Sequence, residues 1–151
     1  MNNFYFKKML DKKVCVISGG RTGIGRAITN EFLNQGAYLV VLGRDLNKMK
    51  GSFKDNKYLN KKLFLFESDI KDYKRLKAVV NEIVERFDRI DILVNNAAVN
   101  FMIPAEKMLQ NMIDLSVDTN LRGHIYLTTL VGNVMKQQRG IKRIINISAY
   151  S

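Results

Sequence analysis

The residues with the clearest chemistry lie near the N-terminus, in Ser18-Gly19-Gly20-Arg21-Thr22-Gly23-Ile24-Gly25. An apolar run, Val14-Cys15-Val16-Ile17, leads into them, and an amphipathic stretch, Arg26 to Gln35, leads away. That order is strand, glycine turn, helix. Glycine has no Cβ, so such a turn lets backbone N–H groups come close to a pyrophosphate. The helix N-terminus adds unpaired donors and a positive dipole end. The flanking strand and helix distinguish this turn from an ordinary glycine-rich loop. Two arginines suit the same anionic ligand. Arg44 ends the second apolar run, and its planar fork can make two charge-assisted bonds to a phosphate. Each such bond contributes about 1.5–3 kcal/mol. Arg21, inside the turn, is a second phosphate partner. Asp45 is the alternative at the strand end, as a carboxylate for a ribose hydroxyl.

The elements that position these residues alternate. Val14 to Ser18 reads as a strand and Gly23 to Gln35 as a helix, with Ile24, Ile28, Phe32 and Leu33 on its apolar face and Gly36 at its C-terminal end. Tyr38 to Gly43 is a continuous apolar run, the pattern of a strand buried on both faces of a parallel sheet. A short helix from Leu46 to about Phe53 follows, then a strand centred on Leu63 to Phe66. Asp72 caps a helix that runs to Phe87, with Leu76, Val79, Val80, Ile83 and Val84 on one face. Ile90 to Val94 is the fourth strand. A helix from Ala105 to Ser116 continues into a long one from about Val117 to Gln138, with Leu121, Ile125, Thr128 and Leu130 expected inside, and Gly140 ends it. Ile144 to Ile147 is the fifth strand. Alternating β and α predicts an α/β fold, a Rossmann-type doubly wound parallel sheet with right-handed crossovers. The expected strand order is 3-2-1-4-5, with the ligand crevice between strands one and four, where the order reverses.

Composition bounds the class. The chain has 151 residues, 46% apolar and 26% charged, the balance of a soluble globular protein. Pro104 is its one proline, and no Pro/Gly/Ser-rich linker interrupts it, so residues 1–151 are expected to form one domain. The net charge of +11 is spread along the chain and accompanies no nucleic-acid motif, so it reads as a lysine-rich solvated surface rather than a nucleic-acid site. Cys15 is the one cysteine, expected to be a small buried apolar residue in a reducing, cytoplasmic setting. No Cys/His set has zinc spacing, so no metal is expected. No 18-residue apolar run is present to span a membrane. Met1 to Lys13 lacks the apolar core of a signal peptide, while an organelle leader stays open.

Several motifs then agree, and over residues 12–151 the chain resembles the short-chain dehydrogenase/reductase family. The glycine turn has Gly19, Gly23 and Gly25 at that family's spacing and Ser18 at its usual Thr position. Asp69-Ile70 resembles the pair that holds the adenine ring. Asn95-Asn96-Ala97-Ala98 resembles the family's Asn-Asn-Ala-Gly turn. Asn120, in Asp118-Thr119-Asn120-Leu121-Arg122-Gly123, stands where the family keeps an active-site asparagine, and Ile144-Ile145-Asn146-Ile147-Ser148 resembles the strand leading to its serine. Asn95 to Lys107 is also similar to the corresponding turn of the 2,4-dienoyl-CoA reductase branch.

The resemblance implies hydride transfer from a nicotinamide cofactor to a carbonyl or an enoyl- or dienoyl-CoA substrate. Arg44 implies NADP rather than NAD. Ser18, Gly19, Arg21, Thr22, Gly23, Ile24, Gly25, Arg44, Asp69, Ile70, Asn96, Ala97 and Ala98 are the expected cofactor contacts, with Ile24 also packing its helix on the sheet. Asn120 is expected to hold a water in a proton relay, and Ser148 to polarise the substrate. Ala149 stands where the family has its active serine, so Ser151 is an alternative hydroxyl. Tyr150 is not at the spacing of the family's catalytic tyrosine, whose lysine follows four residues later; that Tyr-x-x-x-Lys segment is absent from these residues. The expectation is therefore a C-terminally truncated oxidoreductase, weak or inactive by itself and homo-oligomeric at full length, its fifth strand left as an apolar edge. The alternative is a non-catalytic NADP(H) sensor or scaffold. His124, the one histidine, has no evident partner and reads as structural.

Overall fold

A computed structural model describes residues 8–148. Five strands form one parallel sheet: β1 (Val14–Ser18), β2 (Tyr38–Gly43), β3 (Leu63–Glu67), β4 (Ile92–Asn95) and β5 (Arg143–Asn146), in the order β3-β2-β1-β4-β5. Successive side chains alternate between the faces. Val14, Val16, Val40, Leu42, Phe64 and Leu93 meet the helices α3 (Tyr73–Phe87) and α5 (His124–Lys136). Cys15, Ile17, Leu39, Val41, Leu63 and Val94 meet α1 (Gly23–Asn34) and α2 (Leu46–Phe53). Burial on both faces is why β1, β2 and β4 read as unbroken apolar runs.

The helices begin where their caps dictate. Asp72 Oδ1 accepts from the Arg75 N–H at 2.9 Å and starts α3, which buries Leu76, Val79, Val80 and Ile83. Each such side chain contributes roughly 1.5–3 kcal/mol on burial. Asp45 Oδ1 accepts from the Lys48 N–H at 2.8 Å and starts α2. At the N-terminal ends of the strands, buried Asp91 joins three elements. Its carboxylate accepts from the Val14 N–H at 3.0 Å, from Arg89 Nε at 2.8 Å and from Lys142 Nζ at 3.0 Å, with Lys13 Nζ 3.9 Å away. Burial alone would raise its pKa. The Arg89 bonds, the Val14 N–H and Lys142 outweigh that and hold it at about 2. Burial, then the nearby Asp91 charge, pushes the Cys15 thiol up to about 12, so it stays a protonated core group.

Three expectations need correction. Ile24 does not pack α1 on the sheet: it is 63% exposed at the first turn, and α1 buries Gly25, Thr29 and Leu33 instead. The helical stretch after β4 is not continuous. A 3₁₀ turn at Ala105–Lys107 precedes α4 (Gln110–Val117), and a π turn at Asp118–Gly123 separates α4 from α5. The inward face of this stretch is also different. Leu127, Val131 and Met135 are buried, whereas Leu121 and Ile125 are 57% and 54% exposed, and Thr128 and Leu130 are half-buried. Apolar residues surround α5, so periodicity does not choose a side. Packing against α3 and β4 does, and the wider π turn rotates everything after it relative to a 3.6-residue repeat. β5 is exposed along its length, as expected for the sheet edge.

Candidate functional site

A cleft of about 450 Å³ opens at the C-terminal ends of the strands, where the order reverses between β1 and β4. Ser18, Gly19, Thr22, Ile24, Gly25, Arg44, Asp69, Ile70, Asn96, Ala97, Ala98 and Ser148 line it. Of the expected cofactor contacts, Arg21 and Gly23 do not line it. Ile24, displaced from the core, forms part of its rim.

The glycine turn and the turn after β4 are locked together. The Ser18 hydroxyl, buried, accepts from the Asn96 N–H at 3.0 Å and the Ala97 N–H at 3.1 Å. Asn96 Nδ2 returns two bonds, to the carbonyls of Ser18 (3.1 Å) and Gly19 (2.9 Å). Asn96 lines the cleft as a cofactor contact would, and its amide nitrogen is committed to this lock. The lock requires glycine. A Cβ on Gly25 would lie 2.3 Å from the Gly19 carbonyl oxygen and 2.5 Å from Asn96 Nδ2. Gly19 has φ +70° and its missing Cβ would meet the Ala97 Cα at 2.9 Å. Thr29 Oγ1 donates to the Gly20 carbonyl at 3.0 Å, anchoring the turn from within α1.

At the end of β2 the two candidates separate. Arg44 is exposed and lines the cleft. Asp45 is committed to its helix: the Lys48 N–H bond, together with the Lys48 ammonium at 3.3 Å, holds its carboxyl below the ordinary value. Asp69 forms a turn, accepting from the Lys71 N–H at 2.9 Å while its side chain still borders the cleft. Ile70 is buried beneath the π turn, which approaches because Gly123 carries no side chain; a Cβ there would lie 2.8 Å from Ile70 Cγ1.

The π turn also supplies groups not anticipated from residue types. Thr119 is 6% exposed and Ser68, after β3, is 4% exposed. Both line the cleft, and among the described residues neither hydroxyl has a partner. Buried polar groups are normally paired, so two orphans facing one cleft indicate a ligand or water that pairs them. Asn120 was expected to hold a water. Its amide instead clamps Val99, accepting from the Val99 N–H at 2.9 Å and donating to the Val99 carbonyl at 2.8 Å. His124, read as having no partner, has one: its Nε2 lies 2.7 Å from the Ala97 carbonyl oxygen. Ser148 is exposed and borders both the cleft and a neighbouring depression lined by Asn120 and His124. Ala149, Tyr150 and Ser151 lie outside the described residues. Among the described residues, no group of three or more His, Cys, Asp or Glu could hold a metal ion, and no helix is long and apolar enough to cross a membrane.

A cradle that a Cβ would fill, a helix N-terminus beside it, an arginine at the rim and two orphaned hydroxyls fit an extended anionic dinucleotide. The sequence profile of the family described as short chain dehydrogenase matches residues 13–151. The chain belongs to that family. Within the short-chain dehydrogenases, it is 28% identical over 142 residues to a probable 2,4-dienoyl-CoA reductase of Bacillus subtilis, covering 93% of this chain and 55% of that protein. It is 32% identical over 142 residues to a 3-oxoacyl-acyl-carrier-protein reductase of Thermotoga maritima, covering 93% and 56%. The chain thus spans about half the length of these curated relatives. Among solved structures, a metagenomic short-chain oxidoreductase in complex with NADP superposes with a TM-score of 0.84 at 26% identity, covering 94% of this chain and 64% of that one. Short-chain dehydrogenases bind a nicotinamide cofactor, which accounts for the cradle.

Proposed function

We propose that this chain is the cofactor-binding part of an NADP-dependent short-chain oxidoreductase acting on a carbonyl or an enoyl- or dienoyl-CoA substrate. The observation that carries the cofactor choice is the division of labour at the end of β2. Arg44 borders the cleft, and no side-chain hydrogen bond or ion pair engages it among the described residues. Asp45, the residue that would favour NAD, spends its carboxylate on the cap of α2. A guanidinium in that place favours a 2′-phosphate, and a carboxylate favours a free 2′-hydroxyl. The substrate class rests on the acyl-thioester reductases among the relatives.

The bound cofactor would supply a hydride at its nicotinamide carbon. The chain's own residues hold it: Gly19 and Gly25 give the pyrophosphate its close approach, Arg44 takes the 2′-phosphate, and Ser68, Asp69, Ile70 and Thr119 surround the adenosine end. Ala97 and Ala98 border the nicotinamide side, with Ala98 placing a methyl group where the family resemblance has glycine. Ser148 stands at the rim as the hydroxyl for the substrate oxygen. Asn120 acts on that side by fixing Val99, which leaves one Oδ1 lone pair and one Nδ2–H for a water. Ile113, Val117, Leu121 and Ile125 form an exposed apolar stripe at four-residue spacing, which supports assembly with a second copy in the whole protein. A cytoplasmic location is part of the same proposal, resting on a single buried, protonated cysteine.

Fluorescence titration of the chain with NADPH and NADH tests the cofactor reading. NADPH is expected to bind more tightly. Arg44→Ala is expected to weaken NADPH by about tenfold or more, the loss of one or two charge-assisted bonds, and to leave NADH nearly unchanged. Equal affinities that Arg44→Ala does not alter would remove the NADP assignment.

A further inference from the structure

We propose that His124 is a positioning residue, whose Nε2–H holds the Ala97 carbonyl and thereby aims the Ala98 N–H at the nicotinamide half of the cofactor. This rests on the cofactor reading above. The argument starts from the atom pair. His124 Nε2 and the Ala97 carbonyl oxygen are 2.7 Å apart. A carbonyl only accepts, so Nε2 carries the proton, in the neutral ring or the imidazolium alike. Ala97 is therefore gripped at both polar groups, its N–H by the Ser18 hydroxyl at 3.1 Å and its C=O by His124. A Cβ at Gly19 would lie 2.9 Å from the Ala97 Cα, so the two turns approach this closely because residue 19 is glycine.

The consequence falls on the next residue. The Ala97–Ala98 peptide is trans, as no cis peptide bond occurs among the described residues. In a trans peptide the C=O and the following N–H point in opposite directions. With the carbonyl held toward α5, the Ala98 N–H is turned away from α5. Among the described residues no hydrogen bond uses that N–H, and Ala98 borders the cleft. One residue on, the Val99 N–H and C=O are both occupied by Asn120, so of the N–H groups of residues 96–99 the one at Ala98 has no partner among the described residues. Asn120 in the π turn and His124 at the start of α5 sit about one helical turn apart and hold the residues on either side of Ala98, Val99 and Ala97.

The test uses three ligands and three proteins. The 151-residue chain, His124→Leu and His124→Gln are titrated with NADPH, with 2′,5′-ADP as the adenosine half and with reduced nicotinamide mononucleotide. The Ala98 amide is followed by 15N NMR without ligand. His124→Leu is expected to weaken NADPH and the mononucleotide by about five- to tenfold, the effect of one misdirected hydrogen bond. It is expected to leave 2′,5′-ADP unchanged and to shift the Ala98 amide resonance. His124→Gln, which keeps a donor, is expected to recover most of both. Unchanged NADPH binding, or equal loss for both halves, would overturn the inference and leave the cofactor reading standing. Wild-type chain that binds neither NADPH nor 2′,5′-ADP would overturn the cofactor reading, and this one with it. Should His124→Leu fail to fold, His124→Asn, too short to reach Ala97, takes its place with the same expected outcomes.

Discussion

At the scale of single residues, contact distances separate glycines that serve the cleft from those that do not. Gly25 has no room for a methyl group: its missing Cβ would meet the Gly19 carbonyl oxygen at 2.3 Å and Asn96 Nδ2 at 2.5 Å. Both atoms belong to the lock that shapes the pyrophosphate cradle. Gly25→Ala is expected to force that lock apart, at a cost of about 1–3 kcal/mol in stability. Because the displaced groups form the cradle itself, NADPH affinity should fall further than stability does. Comparing the denaturation midpoint with a binding titration checks this; full NADPH affinity in Gly25→Ala would contradict it. The glycine spacing was legible from residue types. The commitment of Asn96 to that lock was not, because its partners, Ser18 at the end of β1 and Gly19 in the turn after it, lie 77–78 positions away.

At the scale of elements, the π turn does the positioning. It buries Thr119 toward the cleft, sends Asn120 to Val99 and brings Gly123 against Ile70. Gly123→Ala would set a Cβ 2.8 Å from Ile70 Cγ1 and 2.9 Å from the Ile70 carbonyl oxygen. Backbone cannot yield as a flexible side chain would, so a loss of about 1–3 kcal/mol is expected. Gly132, in α5, is the internal control. A Cβ there meets nothing within 4 Å, and Gly132→Ala in a helix interior should stabilise by about 0.5–1 kcal/mol. Urea midpoints of the two variants should move in opposite directions; a shared direction would mean that the π turn tolerates displacement. No residue type announced this turn. A run of Asp-Thr-Asn-Leu-Arg-Gly has no breaker except its final glycine, and only the folded chain shows that Thr119 and Gly123 are its buried residues, with Gly123 set against Ile70.

At the scale of the whole molecule, the sheet carries its chemistry at one end and an ion cluster at the other. Asp91 ties the starts of β1, β4 and β5 through Val14, Arg89 and Lys142. Its pKa of about 2 lies below the ordinary 3.8, so the folded state binds fewer protons than the unfolded chain in that interval. Stability from this carboxylate is therefore fully present above about pH 4 and is lost as the pH falls toward 2, a contribution of roughly 2 kcal/mol by linkage. Denaturation curves from pH 6 to pH 2 should show that loss, and Asp91→Asn should be less stable at pH 6 while losing less on acidification. An equal acid slope in both proteins would place the pH dependence elsewhere. By itself, the sequence determined the strand–helix alternation, the strand order and the family. These follow from local periodicity, from the handedness of β-α-β crossovers and from a turn whose glycines are contiguous in the chain. The tertiary structure decided which side of α5 is buried, that Ile24 faces the cleft, that Asn120 and His124 serve the main chain after β4, and that Ser68 and Thr119 converge as unpaired hydroxyls. Each of those is a contact between segments distant in sequence, and a side chain's partner across such a distance is set by packing, which residue type and spacing do not encode.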